Sequence, residues 1–283
     1  MGVQSVSVIM SIFLGIVQGV TEFLPVSSSG HLALIQSLFG YSEDDHLFFA
    51  VLLHFGTLIA IFIVYREDIK SMIADTVAFI KKRSESGRTN EPLKPSVRMV
   101  LLVIVGTLPL LIAVFFMSQF ERLFYMPGFV GFALLVTGGV LYVSDRYITN
   151  GNKREKTMTI KDALIIGFVQ AIAIIPGLSR SGATIAVGMT RGLNRTFAVR
   201  FSLLLSIPAV LGSGIVMLVS AIRDGINASL IPVYLIGFVV AAVVGYFSVN
   251  LLRRIVTKKG RFGSFAYYCW AIGVLTIILA IAL

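Results

Sequence analysis

Glu22, Ser27, Ser28, Ser29 and His31 crowd into the stretch "TEFLPVSSSGHL", inside an otherwise apolar run. An ionisable group there is costly and needs a partner or a task. Ser28 and His31 stand at i and i+3, so on a helix they share a face. An imidazole beside a hydroxyl can take its proton and make a nucleophile. Alternatively, His31 attacks phosphorus itself and Ser28 ligates the phosphate. Glu22 suits a general base, a metal ligand or a structural partner for a cation. Gln18 precedes it by one helical turn; its carbonyl suits a cation, a water or a helix–helix hydrogen bond. Serines at such a break also cap helices, and capping alone would explain Ser27, Ser28 and Ser29.

Far along the chain, "PGLSRSGAT" holds Arg180 among Ser179, Ser181 and Thr184. A guanidinium is permanently charged and matches phosphate oxygens. Ser179, Ser181 and Thr184 read as cap and phosphate donors, and Arg180 as a phosphate clamp or the partner of Glu22. His54, in mid-span, reads as structural. Arg191, Arg195 and Arg200 read as side chains snorkelling to the cytoplasmic interface.

These residues must be positioned by membrane helices. Of 283 residues, 57% are hydrophobic and 13% charged. That composition excludes a soluble domain. Several runs reach the ~20 apolar residues that cross a bilayer, without the alternation of a β-barrel. Full crossings are expected at 46–65, 98–117, 128–147, 196–221, 231–252 and 264–283. Runs 5–24 and 162–176 each end at a proline and a serine-rich break, then resume as 29–39 and 181–192. A helix of 11 or 12 residues rises only ~18 Å. Each pair, 5–39 and 162–192, therefore reads as a re-entrant hairpin.

Charge agrees. Loops 66–97, 148–161 and 253–263 carry most of the Lys and Arg, while the opposite loops hold Arg122 and Arg223. Basic loops mark the cytoplasmic side, which puts both termini outside. The net charge of +10 thus points to membrane lipid headgroups and not to nucleic acid. Residues 1–21 carry no side-chain charge, so the basic start of a cleaved signal peptide is absent. The single Cys269 allows no internal disulfide and no cysteine metal site. "DIKSMIADTVAFIKKR" in loop 66–97 spaces Ile69, Ile73, Val77 and Ile80 as an amphipathic interfacial helix, followed by a linker at 84–96.

Shifting the chain by 152 residues (Gly15 onto Gly167) lays "GIVQGVTEFLPVSSSGH" over "GFVQAIAIIPGLSRSGA". Gly15, Val17, Gln18, Ser27, Ser29 and Gly30 match Gly167, Val169, Gln170, Ser179, Ser181 and Gly182. The chain then divides into 1–150 and 160–283, each one hairpin plus three crossings, in a single membrane domain. Three crossings are odd, so the second repeat is inverted. Inverted repeats place their sites near the midplane, where broken helices meet. Tips 25–30 and 177–182 are expected to face each other. Their helix N-termini and Arg180 would make a pocket for phosphate groups. The expected fold is all-α: a polytopic membrane protein with six crossings and two re-entrant hairpins.

"QGVTEFLPVSSSGHL" and "PGLSRSGATI" resemble the two signature motifs of the undecaprenyl-diphosphate phosphatase family, the bacitracin-resistance proteins. The resemblance spans essentially the whole chain. It implies an inner-membrane enzyme that hydrolyses undecaprenyl diphosphate to undecaprenyl phosphate and inorganic phosphate. It also implies a site opening to the extracytoplasmic face and dependence on a divalent cation, Mg2+ or Ca2+. By resemblance, the acidic motif falls on Gln18 and Glu22, the seryl and histidyl positions on Ser27, Ser28 and His31, and the phosphate-binding arginine on Arg180. Gln18 stands where the family allows Glu or Gln, so this chain has one carboxylate fewer for metal. The competing class is a transporter or flippase of a polyprenyl phosphate or small anion, since inverted repeats also build carriers. A channel lacks its ring of like charges here. The sequence leaves open a homo-oligomer and the nucleophile, Ser28 or His31.

Overall fold

The computed structural model describes residues 6–39, 47–86, 92–148, 151–258 and 261–282. Residues 87–91 of the expected linker, 149–150 and 259–260 of two basic loops, and residue 5 of the first hairpin lie outside the described residues. Twelve α-helices account for most of the described chain, with one isolated bridge between Lys153 and Leu193.

The first apolar run forms α1 (Val8–Thr21), whose first turn is capped by Ser7 Oγ accepting from Met10 N at 3.2 Å. After a turn, α2 (Ser28–Phe39) leads to α3 (Leu47–Val64). At Tyr65 the chain bends by 78° into α4 (Arg66–Ser86). This is the expected amphipathic helix: Ile73, Val77 and Ile80 are exposed as an apolar stripe, while Ile69 packs on the core. It extends through Ser86, three residues into the segment expected as linker.

The next crossing is α5 (Pro95–Val114). It begins and ends three residues earlier than hydropathy suggested. Pro95 at the first helical position supplies the start, because its missing N–H is not needed there. A short α6 (Met117–Phe124), not anticipated, follows before α7 (Pro127–Tyr147). The second hairpin is α8 (Ile160–Ile172) and α9 (Arg180–Thr190). A capping box starts α8: Thr159 Oγ1 accepts from Asp162 N at 3.1 Å, and Asp162 Oδ2 from Thr159 N at 3.0 Å. Then come α10 (Arg195–Asp224), α11 (Ile231–Val256) and α12 (Ser264–Ala282).

Helices α5, α7, α10, α11 and α12 are long and apolar enough to cross a membrane, and bent α3–α4 adds a sixth candidate. The expected all-α, polytopic membrane fold is what the chain adopts. Helix α1 packs along α11, and α8 along α5. Each hairpin's first helix thus lies against the second long helix of the opposite half. Helix α3 packs on both α10 and α11, and α7 pairs with α12. Small residues permit these close approaches: a Cβ on Gly15 would come 2.7 Å from Gly237 O, and one on Gly131 2.8 Å from Gly273 O.

The three arginines read as snorkelling are instead paired. Arg195 is buried, ion-paired with Asp145, whose other carboxylate oxygen accepts from Gly263 N at 2.7 Å. Arg191 Nε donates to Asp162 at 2.9 Å, beside Lys153 Nζ at 2.8 Å. Arg200 pairs with Asp68 and, at 3.6 Å, with Glu155. These contacts tie α7, α8, α10 and the loops together, because a charge taken out of water must find its counter-charge.

Candidate active site

Both hairpins break the same way. Helix α1 ends at Thr21 with Glu22 as its C-cap; α8 ends at Ile172. Each stops four residues ahead of its proline, which has no N–H to return to the carbonyl four residues back. The outgoing helices then start on serine caps one repeat apart. Ser27 Oγ accepts from Gly30 N at 3.1 Å, and Ser179 Oγ from Gly182 N at 3.2 Å. Ser27 shares a hydrogen bond with Ser29 at 3.1 Å, and Ser179 with Ser181 at 3.3 Å.

The tips meet, as the repeat implied. Ser29 Oγ accepts from Gly177 N at 3.3 Å, and Ser181 Oγ donates to Leu24 O at 3.4 Å. Thr137 of α7 holds the second tip, donating to Gly177 O at 3.0 Å and accepting from Ser179 N at 3.2 Å. Gly177 is required here: its φ is +91°, and a Cβ would stand 2.5 Å from Val130 O. Ser27 also has positive φ, +69°, an uncommon conformation for a residue with a Cβ.

Ser28 and Arg180 are the first residues of α2 and α9, and they match each other across the repeat. Both reach Glu22. Arg180 Nη2 donates to Glu22 Oε1 at 2.7 Å, and Ser28 Oγ to Glu22 Oε2 at 3.0 Å. Gln18 Nε2 donates to the same Oε2 at 3.1 Å. The carboxylate is 8% exposed as a residue and accepts from three side chains. The remaining Gln18 oxygen, Oε1, is buried with no hydrogen-bond partner among the described residues.

The imidazole does not meet Ser28. His31 Nδ1 is bonded to Ser27 O at 2.7 Å, and Nε2 to the Tyr268 hydroxyl of α12 at 2.7 Å. The i, i+3 spacing brought the two residues to one helix end, yet the base in contact with the Ser28 hydroxyl is Glu22. Thr184 is also turned away. Its hydroxyl donates to Arg180 O at 2.8 Å and bonds Ser202 at 2.5 Å. Ser27, Ser29, Ser179 and Ser181 cap or lock the tips, so Gln18, Glu22, Ser28, His31 and Arg180 are the groups left around the break.

Three further residues complete the surroundings without a sequence signal that singled them out for this site. They are Tyr268, Thr137 and His54, whose ring lies within electrostatic range of Glu22 while its Nδ1 bonds Ala50 O at 2.9 Å. Among the described residues no cluster of three or more His, Cys, Asp or Glu stands ready for a metal ion.

Two buried helix N-termini, a guanidinium, and a serine hydroxyl bonded to a carboxylate can bind an anion and attack it. The bacitracin resistance protein BacA family matches residues 11–275. The undecaprenyl-diphosphatase of Halothermothrix orenii is 42% identical over 270 residues, spanning 95% of this chain and 96% of its own. That of Methanosphaera stadtmanae is 41% identical over 280 residues, 98% and 99% of the two chains. That of Carboxydothermus hydrogenoformans is 41% identical over 276 residues, 96% and 97%. With both motifs converging on one carboxylate and similarity running nearly end to end, this chain belongs to the BacA bacitracin resistance family.

Proposed function

We propose that this chain is a membrane phosphatase that hydrolyses undecaprenyl diphosphate to undecaprenyl phosphate and inorganic phosphate. The observation that carries the reading is the convergence of Ser28 and Arg180 on Glu22 at the meeting of two helix N-termini. Chemistry at phosphorus asks mainly for positioning and charge stabilisation. Arg180 and the positively polarised N-termini of α2 and α9 hold the diphosphate oxygens. Glu22 takes the proton of Ser28 as its oxygen attacks the terminal phosphorus. The bond to the bridging oxygen breaks, and undecaprenyl phosphate leaves. Water then attacks the phosphoserine, releases phosphate and restores the hydroxyl. His31 stands beside the cap as the proton carrier for that second step.

Gln18 and Glu22 are the residues that would hold a divalent cation. The unpartnered Gln18 Oε1 beside a carboxylate is the hard-oxygen start of such a site. The substrate's own phosphate oxygens complete such sets for Mg2+. When bound, the ion would neutralise diphosphate charge.

A polyprenyl tail dissolves in the bilayer and delivers its headgroup at membrane depth, which suits a site between broken helices. The repeats 1–150 and 160–283 read as inverted copies; the crossed packing of α1 on α11 and α8 on α5 supports this. The concentration of Lys and Arg in loops 66–97, 148–161 and 253–263 supports extracytoplasmic termini in a bacterial inner membrane. The site then opens to the extracytoplasmic side.

Phosphate release from undecaprenyl diphosphate by purified protein in detergent, with no gradient, tests the reading, with and without a chelator. Release that is lost in Ser28→Ala and Arg180→Ala supports it. Substrate binding without hydrolysis would identify a carrier instead, and a trapped phosphohistidine would remove Ser28 from the nucleophile's role.

A further inference from the structure

We infer that Tyr268 is a positioning residue for His31: its hydroxyl donates to Nε2 and holds the neutral imidazole with its proton on Nδ1. The inference rests on the phosphatase reading only for its kinetic arm. The geometry comes from two bonds. A backbone carbonyl has no proton to give, so at the 2.7 Å contact with Ser27 O the proton belongs to Nδ1. A neutral imidazole carries one proton, so Nε2 is then the acceptor. The group facing Nε2, at 2.7 Å, is the Tyr268 hydroxyl, which must donate. The two rings lie parallel within 5°, their centroids 5.6 Å apart, so the tyrosine runs alongside the imidazole with its hydroxyl at Nε2.

Neither partner is incidental to the fold. Ser27 O accepts from His31 N at 3.3 Å as well as meeting Nδ1, so the first turn of α2 itself holds that carbonyl at the imidazole. Tyr268 precedes buried Cys269, whose thiol contacts Pro25 O at 3.5 Å in the same turn. Trp270 anchors that part of α12 by donating to Leu135 O at 3.1 Å. The third long helix of the second half thus reaches the first hairpin and fixes its histidine. The consequence is specific: Nε2, bonded to Tyr268 of α12, is the nitrogen that exchanges a proton during turnover.

The experiment uses the full-length protein in micelles with 15N-histidine, compared with Tyr268→Phe and with 3-fluorotyrosine in place of Tyr268. In the wild type, at a pH where His31 is neutral, Nδ1 should resonate as the protonated nitrogen and Nε2 as a hydrogen-bonded acceptor. Tyr268→Phe should move the Nε2 resonance toward that of a free lone pair. The more acidic 3-fluorotyrosine should move it the opposite way. Phosphate release by Tyr268→Phe should fall roughly tenfold in kcat with KM unchanged, a part of the ~10²–10⁴-fold worth of general acid–base catalysis. A protonated Nε2 in the neutral wild type, or an Nε2 resonance indifferent to both replacements, overturns the assignment. An undiminished kcat in Tyr268→Phe overturns its bearing on turnover. The resonances report on the tautomer even if the wild type released no phosphate, so the two failures are distinguishable.

Discussion

Replacing Glu22 by Met should cost stability as well as activity, and removing Arg180 at the same time should return part of the stability alone. Glu22 accepts from Arg180 at 2.7 Å, Ser28 at 3.0 Å and Gln18 at 3.1 Å. The Arg180 and Glu22 side chains are 20% and 7% exposed. Losing the carboxylate strands a guanidinium, at about 1.5–3 kcal/mol for the charged bond, and two neutral donors at about 1 kcal/mol each. That sum agrees with the ~3–5 kcal/mol for removing one partner of a buried ion pair. Partial exposure of Arg180 lets water soften the loss, so Glu22→Met should cost about 3 kcal/mol. Glu22→Met/Arg180→Met removes both charges, and apolar replacement of a buried pair is often neutral or better. The double variant still strands the Ser28 and Gln18 donors, so it should unfold about 1–2 kcal/mol below wild type, above the single variant. Equilibrium unfolding in mixed micelles reads the stabilities, and phosphate release reads activity, which should be absent in both variants. A Glu22→Met protein as stable as wild type, or a double variant no better than the single, would refute the buried pair.

Ser28→Ala should lower phosphate release by about 10³ or more while costing only about 1 kcal/mol, since its hydroxyl makes one hydrogen bond, to Glu22; parallel kinetics and unfolding check the split. Asp145→Asn should do the reverse: it leaves buried Arg195 without its counter-charge, costing about 3 kcal/mol, while activity per folded molecule persists. Asp75 on α4 is bonded to Lys94 at 2.7 Å and Ser96 at 2.5 Å; these donors, Lys94 first, hold its carboxyl below the ordinary 3.8. A depressed carboxyl stabilises the fold above its unfolded value and loses that contribution as pH falls through the folded one. The stability gap between wild type and Asp75→Asn should thus be full above pH 3.8 and close below it, read by unfolding against pH.

The two helix breaks were legible because polar residues in an apolar run are expensive and therefore informative. Gln18, Glu22 and Ser28 stood out, and the offset between the halves located their partner Arg180 on the opposing tip. Which hydroxyl meets which base was not legible. Spacing places Ser28 and His31 on one face, but the imidazole folds back onto the carbonyl four residues earlier, Ser27 O, and spacing does not decide between those neighbours. Tyr268 was hidden for another reason: a tyrosine near the end of a crossing looks like an interfacial anchor. Its partner stands 237 residues away in sequence. Arg195 was misread because hydropathy sees a basic residue at a helix end, not the Asp145 that another helix brings to it.

A duplicated frame ought to yield two equivalent sites; on the proposed reading it yields one, and the difference lies in four positions. Across the 152-residue offset, Glu22 faces Ile174, Ser28 faces Arg180, His31 faces Ala183, and His54 faces Ser206. The caps, the tight glycines and the glutamines are kept in both halves, so the bends survive. The chemistry was divided: one copy carries the carboxylate, hydroxyl and imidazole, the other a cation at the equivalent helix start. Gln170 shows the difference physically. It is as buried as Gln18, but with Ile174 one turn on, both its amide atoms lack a hydrogen-bond partner among the described residues. A carboxylate at that position would have given the second half its own acceptor. It would also have drawn Arg180 toward a second anion instead of leaving its Nη2 on Glu22. Asymmetry at these positions is thus what focuses two helix N-termini on a single carboxylate, Glu22.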